Sequence, residues 1–88
     1  MENETVDISR FLDEKGKIKS WPSKFIYKKA IVEYLSTKFE STVFYNEKEV
    51  NQIISNWHNF DDFFLLRRSL IDYGFMSREK DGSKYWKN

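Results

Sequence analysis

Apolar side chains at helical spacing predict a first helix from residue 23 to about residue 39. Charged side chains occupy its other faces, as in an amphipathic helix packed on a core. Proline disfavours helix for the residue before it and suits a first helical turn, so Pro22 places the start of the helix close by. The repeating apolar positions are Tyr27, Ile31, Tyr34 and Leu35.

A second helix is expected to begin at Asn46, where the sequence predicts a capping box. The Asn46 side chain can accept a hydrogen bond from a helix-end amide, and Glu49, three positions on, can reach back. One apolar stripe follows at i, i+3, i+4 and i+7, and it ends near His58. Its members are Val50, Ile53, Ile54 and Trp57.

A third helix is expected from Asp62 to Tyr73, and a β-hairpin is expected after it. Gly74 stands where a helix needs a left-handed residue just beyond its C-terminus. Two short segments, residues 75–78 and 84–87, then bracket Asp81 and Gly82, a dipeptide typical of hairpin turns.

Two shorter segments complete the predicted fold. Phe11-Leu12 and Ile18 flank a glycine turn and predict an N-terminal extended hairpin, while residues 42–45 predict one short strand. The order of elements indicates an α+β fold: a single winged-helix domain over residues 1–88, namely a helix-turn-helix with a C-terminal β-hairpin. Residues 1–9 are expected to form a flexible polar N-terminus.

Composition supports one folded domain inside the cell. The chain has 88 residues, 40% hydrophobic and 18% aromatic, which is enough apolar material for one core and too much for a disordered tail. It has 0 Cys, which excludes disulfides and thiolate metal sites. It also lacks a recognisable secretion signal or spanning segment. We therefore expect a cytoplasmic protein with no cofactor, no metal and no membrane partner.

The overall charge argues mildly against nucleic acid. Lys and Arg total 15 against 14 Asp and Glu, a formal net charge of +1, whereas nucleic-acid binders are usually clearly basic. Five of the acidic residues lie at the start of the chain, which leaves the remainder modestly basic. They are Glu2, Glu4, Asp7, Asp13 and Glu14.

Several separated motifs resemble a bacterial family known as domain of unknown function 2087. The resemblance covers Phe11 to Trp86 and implies a winged-helix module that occurs alone or joined to the C-terminal side of helix-turn-helix regulators. It implies no established biochemical activity. The motifs, in order, are Phe11-Leu12-Asp13, residues 16–19 (GKIK), residues 45–51 (YNEKEVN), residues 66–75 (LRRSLIDYGF), Arg78, residues 81–83 (DGS) and Tyr85-Trp86.

Catalysis would require a nucleophile with a base, paired carboxylates in a cleft or a metal cluster, and no such pattern is evident. His58 is the single histidine and has no Cys or second His for a zinc site, so we expect a structural or capping role. Asp61 and Asp62 precede a helix, where carboxylates usually act as caps. We therefore expect a non-catalytic binding module with no small-molecule substrate.

The third helix is the one that a winged-helix protein places in the major groove of DNA. Arg67 falls within the apolar arc of this helix, so we favour a structural role, with a carboxylate such as Glu33 or Glu49 as its partner, over a DNA contact. The arc is formed by Phe63, Leu66, Leu70 and Ile71. Arg68 and Ser69 fall on the opposite face and are candidate contacts to bases or phosphates. A solvated helix end is an equally good interpretation of Arg68.

The predicted hairpin carries the strongest basic patch that we find. A basic wing can follow phosphates or enter a minor groove, which makes duplex DNA the first candidate partner. Exposed strands also carry lysine to discourage edge pairing, and that alternative stays open. The candidate contacts are Arg78, Lys80, Lys84 and Lys87.

An aromatic segment from Trp57 to Phe64 favours a second hypothesis. One small core cannot absorb so many rings in so short a stretch, so an exposed apolar patch is expected. Such a patch would serve a protein partner or a homodimer. Its candidate residues are Trp57, Phe60, Phe63 and Phe64.

Overall fold

Residues 6–88 are described by a computed structural model, and within them three helices precede an antiparallel hairpin. This arrangement confirms the predicted α+β class. In chain order the elements are a 3-10 turn at Ser9–Phe11, helix α1 at Phe25–Ser36, helix α2 at Glu47–Asn56, helix α3 at Phe63–Asp72, strand β1 at Met76–Arg78 and strand β2 at Tyr85–Lys87.

Helix α1 begins at Phe25, later than the start expected at residue 23. Pro22 is buried, and the backbone stays extended as far as Lys24, whose ψ angle is 138°. At the other end, the helix tightens into a turn that carries the chain to Phe39. The N–H of Phe39 donates to the carbonyl of Ser36 at 3.2 Å, a 3-10 spacing that explains why the apolar pattern extends past the α-helix.

The predicted capping box at the start of α2 is present. The N–H of Glu49 donates to the Asn46 side chain at 2.8 Å, and the N–H of Asn46 donates to the Glu49 carboxylate at 2.9 Å. Asp62 caps α3, because its carboxylate accepts from the N–H of Leu65 at 3.2 Å. Gly74 follows α3 with φ +85°, as the predicted stop requires.

The N-terminal hairpin is attached to the connection between α2 and α3. Leu12 bridges Ile18 across the turn. Ile18 then donates from its N–H to the carbonyl of Trp57 at 2.8 Å and accepts from the N–H of Asn59 at 3.0 Å. The predicted flexible start, residues 1–9, falls partly outside the described residues, and its last member, Ser9, begins the 3-10 turn.

The C-terminal hairpin pairs Met76 with Lys87, Ser77 with Trp86 and Arg78 with Tyr85. Its turn contains Gly82 at φ +76°. The strand expected over residues 42–45 is reduced to Tyr45, which bridges Tyr85.

The core lies between the three helices, with the two hairpins against it. α3 turns Leu66, Ser69 and Leu70 inward. The longest helix has 12 residues, and no helix within residues 6–88 is long and apolar enough to cross a bilayer. The buried apolar residues are Ile18, Ile31, Val32, Leu35, Phe39, Val50, Ile54, Leu66, Leu70, Met76 and Tyr85.

Candidate nucleic-acid interface

A cleft of about 360 Å³ opens between α3, the start of α2 and the C-terminal hairpin. We call it the α3 cleft. Three arginines and two carboxylates contribute to its walls, together with aromatic and aliphatic side chains. Its lining residues are Glu47, Phe64, Arg67, Arg68, Ile71, Asp72, Arg78 and Tyr85.

Arg67 forms the inner wall of the α3 cleft. Its Nη1 donates to Asn51 Oδ1 at 2.6 Å and lies 3.6 Å from Glu47 Oε2. The ring of Phe64 lies 5.2 Å from the guanidinium carbon. The expected partners, Glu33 and Glu49, were therefore wrong. Glu49 is held in the α2 cap, whereas Glu47 and Asn51 are one helical turn apart on α2.

Arg68 lies on the outer wall, next to Arg67 in sequence but in a different environment. The Arg68 side chain is 72% exposed, whereas that of Arg67 is 14% exposed. Arg68 Nε lies 3.4 Å from Asp72 Oδ2, one helical turn away. A solvated i, i+4 pair of this kind contributes only about 0.3–0.5 kcal/mol, so an incoming anion can compete for the guanidinium.

Ser69 does not face outward, and its expected position beside Arg68 on the exposed face was wrong. Only 6% of Ser69 is exposed. The inward arc of α3 is centred on Leu66 and Leu70, and Phe63, in the first turn, lies partly outside it. Ser69 is therefore unavailable for a base or phosphate contact.

The basic residues of the hairpin are divided between its two faces. Partners directly opposite in an antiparallel ladder share a face, so Arg78 lies on the same face as Tyr85, toward the α3 cleft. Lys87, opposite Met76, belongs to that face as well. Lys84 alternates to the other face, where its Nζ lies 5.2 Å from the ring centre of Phe44.

Lys80 is exposed in the hairpin turn, and its carbonyl lies 3.3 Å from Arg78 Nη1. The hairpin thus offers one exposed cation in the wall of the α3 cleft, Arg78, and a second exposed cation, Lys80, in the adjoining turn. The sequence predicted one patch of four basic residues. That prediction is wrong, because side chains alternate between the two faces of the hairpin and Lys84 lies on the face opposite Arg78.

Tyr85 and Glu47 complete the α3 cleft, and neither was a predicted site residue. The Tyr85 hydroxyl donates to Glu47 Oε1 at 3.4 Å. Burial raises the pKa of the Tyr85 hydroxyl above its ordinary value, and the nearby Glu47 carboxylate raises it further. In the sequence Tyr85 stood out only as part of the Tyr85-Trp86 motif, and nothing in its spacing indicated that it would meet the first turn of α2.

A family model described as "Uncharacterized protein conserved in bacteria (DUF2087)" matches residues 17–87. The chain belongs to this family. The match confirms the resemblance carried by the separated motifs, and it spans all of the elements that form the α3 cleft. Comparison with curated proteins and with solved structures gives no match.

The aromatic segment of this DUF2087 chain is not one exposed patch. Trp57 packs against the core, and the Nζ of Lys38 lies 4.0 Å from its ring centre. Phe60 also packs on the core and stands edge-on to His58. Phe63 and Phe64 remain, 38% and 59% exposed. The predicted patch of four rings is therefore reduced to two.

His58 is buried between α2 and α3 of the DUF2087 chain. Its Nδ1 lies 2.6 Å from the carbonyl oxygen of Ile54, and its Nε2 accepts from the N–H of Asp62 at 3.0 Å. Both ring nitrogens are thus occupied by backbone groups, which leaves neither for a metal or a substrate. Within residues 6–88 no three His, Asp or Glu side chains are grouped to hold a metal ion.

Proposed function

We propose that this chain is a winged-helix module that binds duplex DNA and serves in transcription regulation. The order of elements supports this assignment, since three helices are followed by an antiparallel hairpin. The bridge between Tyr45 and Tyr85 adds a third, one-residue strand beside the hairpin. In this proposal α3 is the recognition helix and the hairpin is the wing.

One observation carries the proposal: Arg68 on α3 and Arg78 on the hairpin line the same cleft, and both are exposed. Two cations on neighbouring elements can hold one stretch of DNA backbone, and Lys80 extends the same edge. Ser69 is buried and Asp72 is negatively charged, so α3 presents few polar side chains that could bind base edges beside phosphates. We therefore infer binding mainly to phosphates, with low sequence specificity.

The salt dependence of binding tests this proposal. Three phosphate contacts predict that log K falls against log salt with a slope of about −2.7, since each contact contributes about −0.9. Fluorescence anisotropy of a labelled duplex, titrated at several salt concentrations, gives this slope. We expect Arg68→Ala and Arg78→Ala each to reduce its magnitude by about 1.

Lys84 supplies the matched control, because it carries the same charge on the other face of the same hairpin. Lys84→Ala should leave both affinity and slope nearly unchanged. An equal loss in all three variants would mean that only net charge matters, and it would contradict the proposed face. Absence of salt-dependent binding at low ionic strength would overturn the DNA proposal.

A second candidate is a protein-interaction module, favoured by the exposed rings of Phe63 and Phe64 at the start of α3. If that surface binds a second copy, sedimentation should show association that Phe64→Ser abolishes. Phe44→Ser is the control, because Phe44 is equally exposed but contacts Trp86 on the hairpin. A concentration-independent monomer would exclude self-association.

A further inference from the structure

The stretch of chain that leads into α1 is basic without interruption by acidic residues, unlike the hairpin, whose cations alternate with Glu79 and Asp81. No Asp or Glu occurs between Glu14 and Glu33. The two ion pairs found within residues 6–88 are Arg67 with Glu47 and Arg68 with Asp72, and neither includes a lysine of this stretch. The lysines of this stretch are Lys15, Lys17, Lys19, Lys24, Lys28 and Lys29.

A pocket of about 250 Å³ lies in this surface, between the 3-10 turn and the start of α1. Tyr27 and Phe11 form one wall, with ring centres 5.5 Å apart. The guanidinium carbon of Arg10 lies 4.9 Å from the centre of Phe11 and 4.8 Å from that of Tyr27. Pro22, Ser23 and Lys24 form the rest of the lining.

Further aromatic faces alternate with ammonium groups beside the pocket. Phe25 is 61% exposed, although its ring is supported edge-on by Tyr73 at 5.4 Å. Lys28 Nζ lies 5.9 Å from the ring centre of Trp21. Exposed rings interleaved with cations are the combination by which proteins hold single-stranded nucleic acid, since bases stack on the rings and phosphates follow the charges.

We propose that this surface, which we call the α1 surface and define by Arg10, Lys24, Phe25, Tyr27 and Lys28, binds single-stranded nucleic acid. One unpaired base enters the pocket and stacks against the arginine and the rings that support it. A neighbouring base lies on Phe25, and the connecting phosphates contact Lys24 and Lys28. Asp7 is an acidic neighbour of Arg10: hydrogen bonds from Ser9 lower the pKa of Asp7 most, and the charge of Arg10 lowers it further.

Other occupants fit these observations less well. Duplex DNA presents phosphates but keeps its bases stacked, so it would leave the pocket and Phe25 unused. A second copy of the chain would bring two clusters of lysine together. An anionic bilayer would use the lysines and the exposed Ile26 but would not need a pocket lined by rings and Arg10.

The α1 surface is separate from the α3 cleft, so this inference goes beyond the proposed function. Phe25 contacts Tyr73, and Phe64 lines the cleft. Tyr73 caps the end of α3 and is nine positions from Phe64, and a rotation of about 100° per residue places the two on opposite sides of the helix. Variants of one surface can therefore be tested without altering the other.

The test is fluorescence anisotropy of the full chain with a labelled oligothymidylate of about 10 nucleotides, within the range that one small domain covers. A matched probe has the same sugar-phosphate chain without bases. We expect the thymidine probe to bind about tenfold more tightly, because stacking contributes only when bases are present. Equal affinity for both probes would overturn base recognition.

Variants locate the site. Arg10→Ala and Phe25→Ala should each remove most of the difference between the two probes, whereas Lys24→Ala should weaken both probes alike. Ile26→Ala is the matched control, since Ile26 is the exposed neighbour of Phe25 but offers no ring. Circular dichroism checks that each variant folds.

Two further arms separate the alternatives. Arg68→Ala should reduce duplex binding and leave oligothymidylate binding unchanged. The duplex proposal for the α3 cleft and the single-strand proposal for the α1 surface can therefore fail independently of each other. Vesicles of phosphatidylglycerol are the second arm. Binding to vesicles that Ile26→Ala and Phe25→Ala weaken equally, without oligothymidylate binding, would replace the nucleic-acid proposal with a membrane surface.

Discussion

His58 Nε2 accepts a hydrogen bond from the backbone N–H of Asp62 at 3.0 Å and thereby joins the end of α2 to the start of α3. Because an amide N–H can only donate, Nε2 must be unprotonated in this contact. The proton of the neutral ring then lies on Nδ1, which donates to the carbonyl of Ile54 at 2.6 Å. One side chain thus ties the last turn of α2 to the residue that caps α3.

Replacement of His58 with leucine should destabilise the fold. The substitution preserves apolar bulk but removes the acceptor of the part-buried hydrogen bond from the Asp62 N–H, at a cost of about 1 kcal/mol. Urea unfolding followed by circular dichroism measures the change. Ser55→Ala, at an exposed position of α2, is the control and should stay within about 0.5 kcal/mol of the parent. Equal stability of the leucine variant would contradict the role assigned to the imidazole.

The adjacent arginines of α3 should differ in their effect on stability. Arg67→Ala removes the hydrogen bond to Asn51 and the packing of a largely buried side chain, so we expect a loss of about 1–2 kcal/mol. Arg68→Ala removes one solvated pair and should change the free energy of unfolding by less than about 0.5 kcal/mol. Thermal unfolding of both variants measures the two losses of stability. A larger loss for Arg68→Ala than for Arg67→Ala would contradict the buried position assigned to Arg67 and the solvated position assigned to Arg68.

Two glycines should respond differently to alanine. Gly74 has φ +85° but no atom within 4 Å of an added Cβ, so Gly74→Ala should cost only the backbone strain of about 1 kcal/mol. Gly16 has φ +82°, and its Cβ would lie 3.0 Å from the Tyr34 hydroxyl. That hydroxyl donates to the Gly16 carbonyl at 2.6 Å, so Gly16→Ala should cost more.

A double mutant isolates the contact at Gly16. If the extra cost comes from the Tyr34 hydroxyl, Gly16→Ala in a Tyr34→Phe background should approach the cost of Gly74→Ala. Chemical unfolding of the four proteins closes the cycle. If Gly16→Ala still costs more than Gly74→Ala in the Tyr34→Phe background, the additional loss of stability comes from the backbone of the turn and not from the Tyr34 hydroxyl.

Asp13 should make the stability of the fold depend on pH in the acidic range. A hydrogen bond from the backbone of Lys17 lowers the pKa of this carboxyl most, and bonds from Lys15 and Asn59 lower it further. A lowered pKa means that folding favours the charged form. The stabilisation is therefore complete above the ordinary value of 3.8 and is lost as the pH falls through the lower value of the folded chain.

Carboxyl carbon NMR can follow Asp13 directly through this range, and its midpoint should lie below 3.8. Asp13→Asn should be less stable than the parent at neutral pH, with a difference that narrows on acidification. A midpoint at or above the ordinary value would contradict the hydrogen bonds at the turn.

Local chemistry made the start of α2, the stop of α3 and the C-terminal hairpin predictable. Asn46 and Glu49 satisfy each other's backbone groups within one turn, and Gly74 adopts a conformation that other residues avoid. Such features depend on a few neighbouring residues, so a single sequence contains what is needed. The N-terminal hairpin was predictable for the same reason, but its attachment to Trp57 and Asn59 was not.

Tertiary contacts determine the features of the α3 cleft that the sequence did not predict. The inward arc of α3 depends on which side chains its neighbours cover, so Phe63 misled the assignment and Ser69 was placed outside. Arg67 has several carboxylates within a few helical turns, and only the position of α2 selects Glu47. Lys84 and Arg78 lie on different faces because the hairpin register pairs Arg78 with Tyr85. Alternation along one strand does not reveal which residues of the two strands are paired.

Tyr45 and Tyr85 exchange two backbone hydrogen bonds, at 2.8 and 2.7 Å, immediately before the cap of α2. These bonds join main-chain atoms, so they survive changes in nearly every surrounding side chain. The distance between α2 and the hairpin is thereby set by a frame that does not depend on what lines the α3 cleft. Related chains could exchange the arginines and carboxylates of that cleft, and with them the ligand, while inheriting the same architecture.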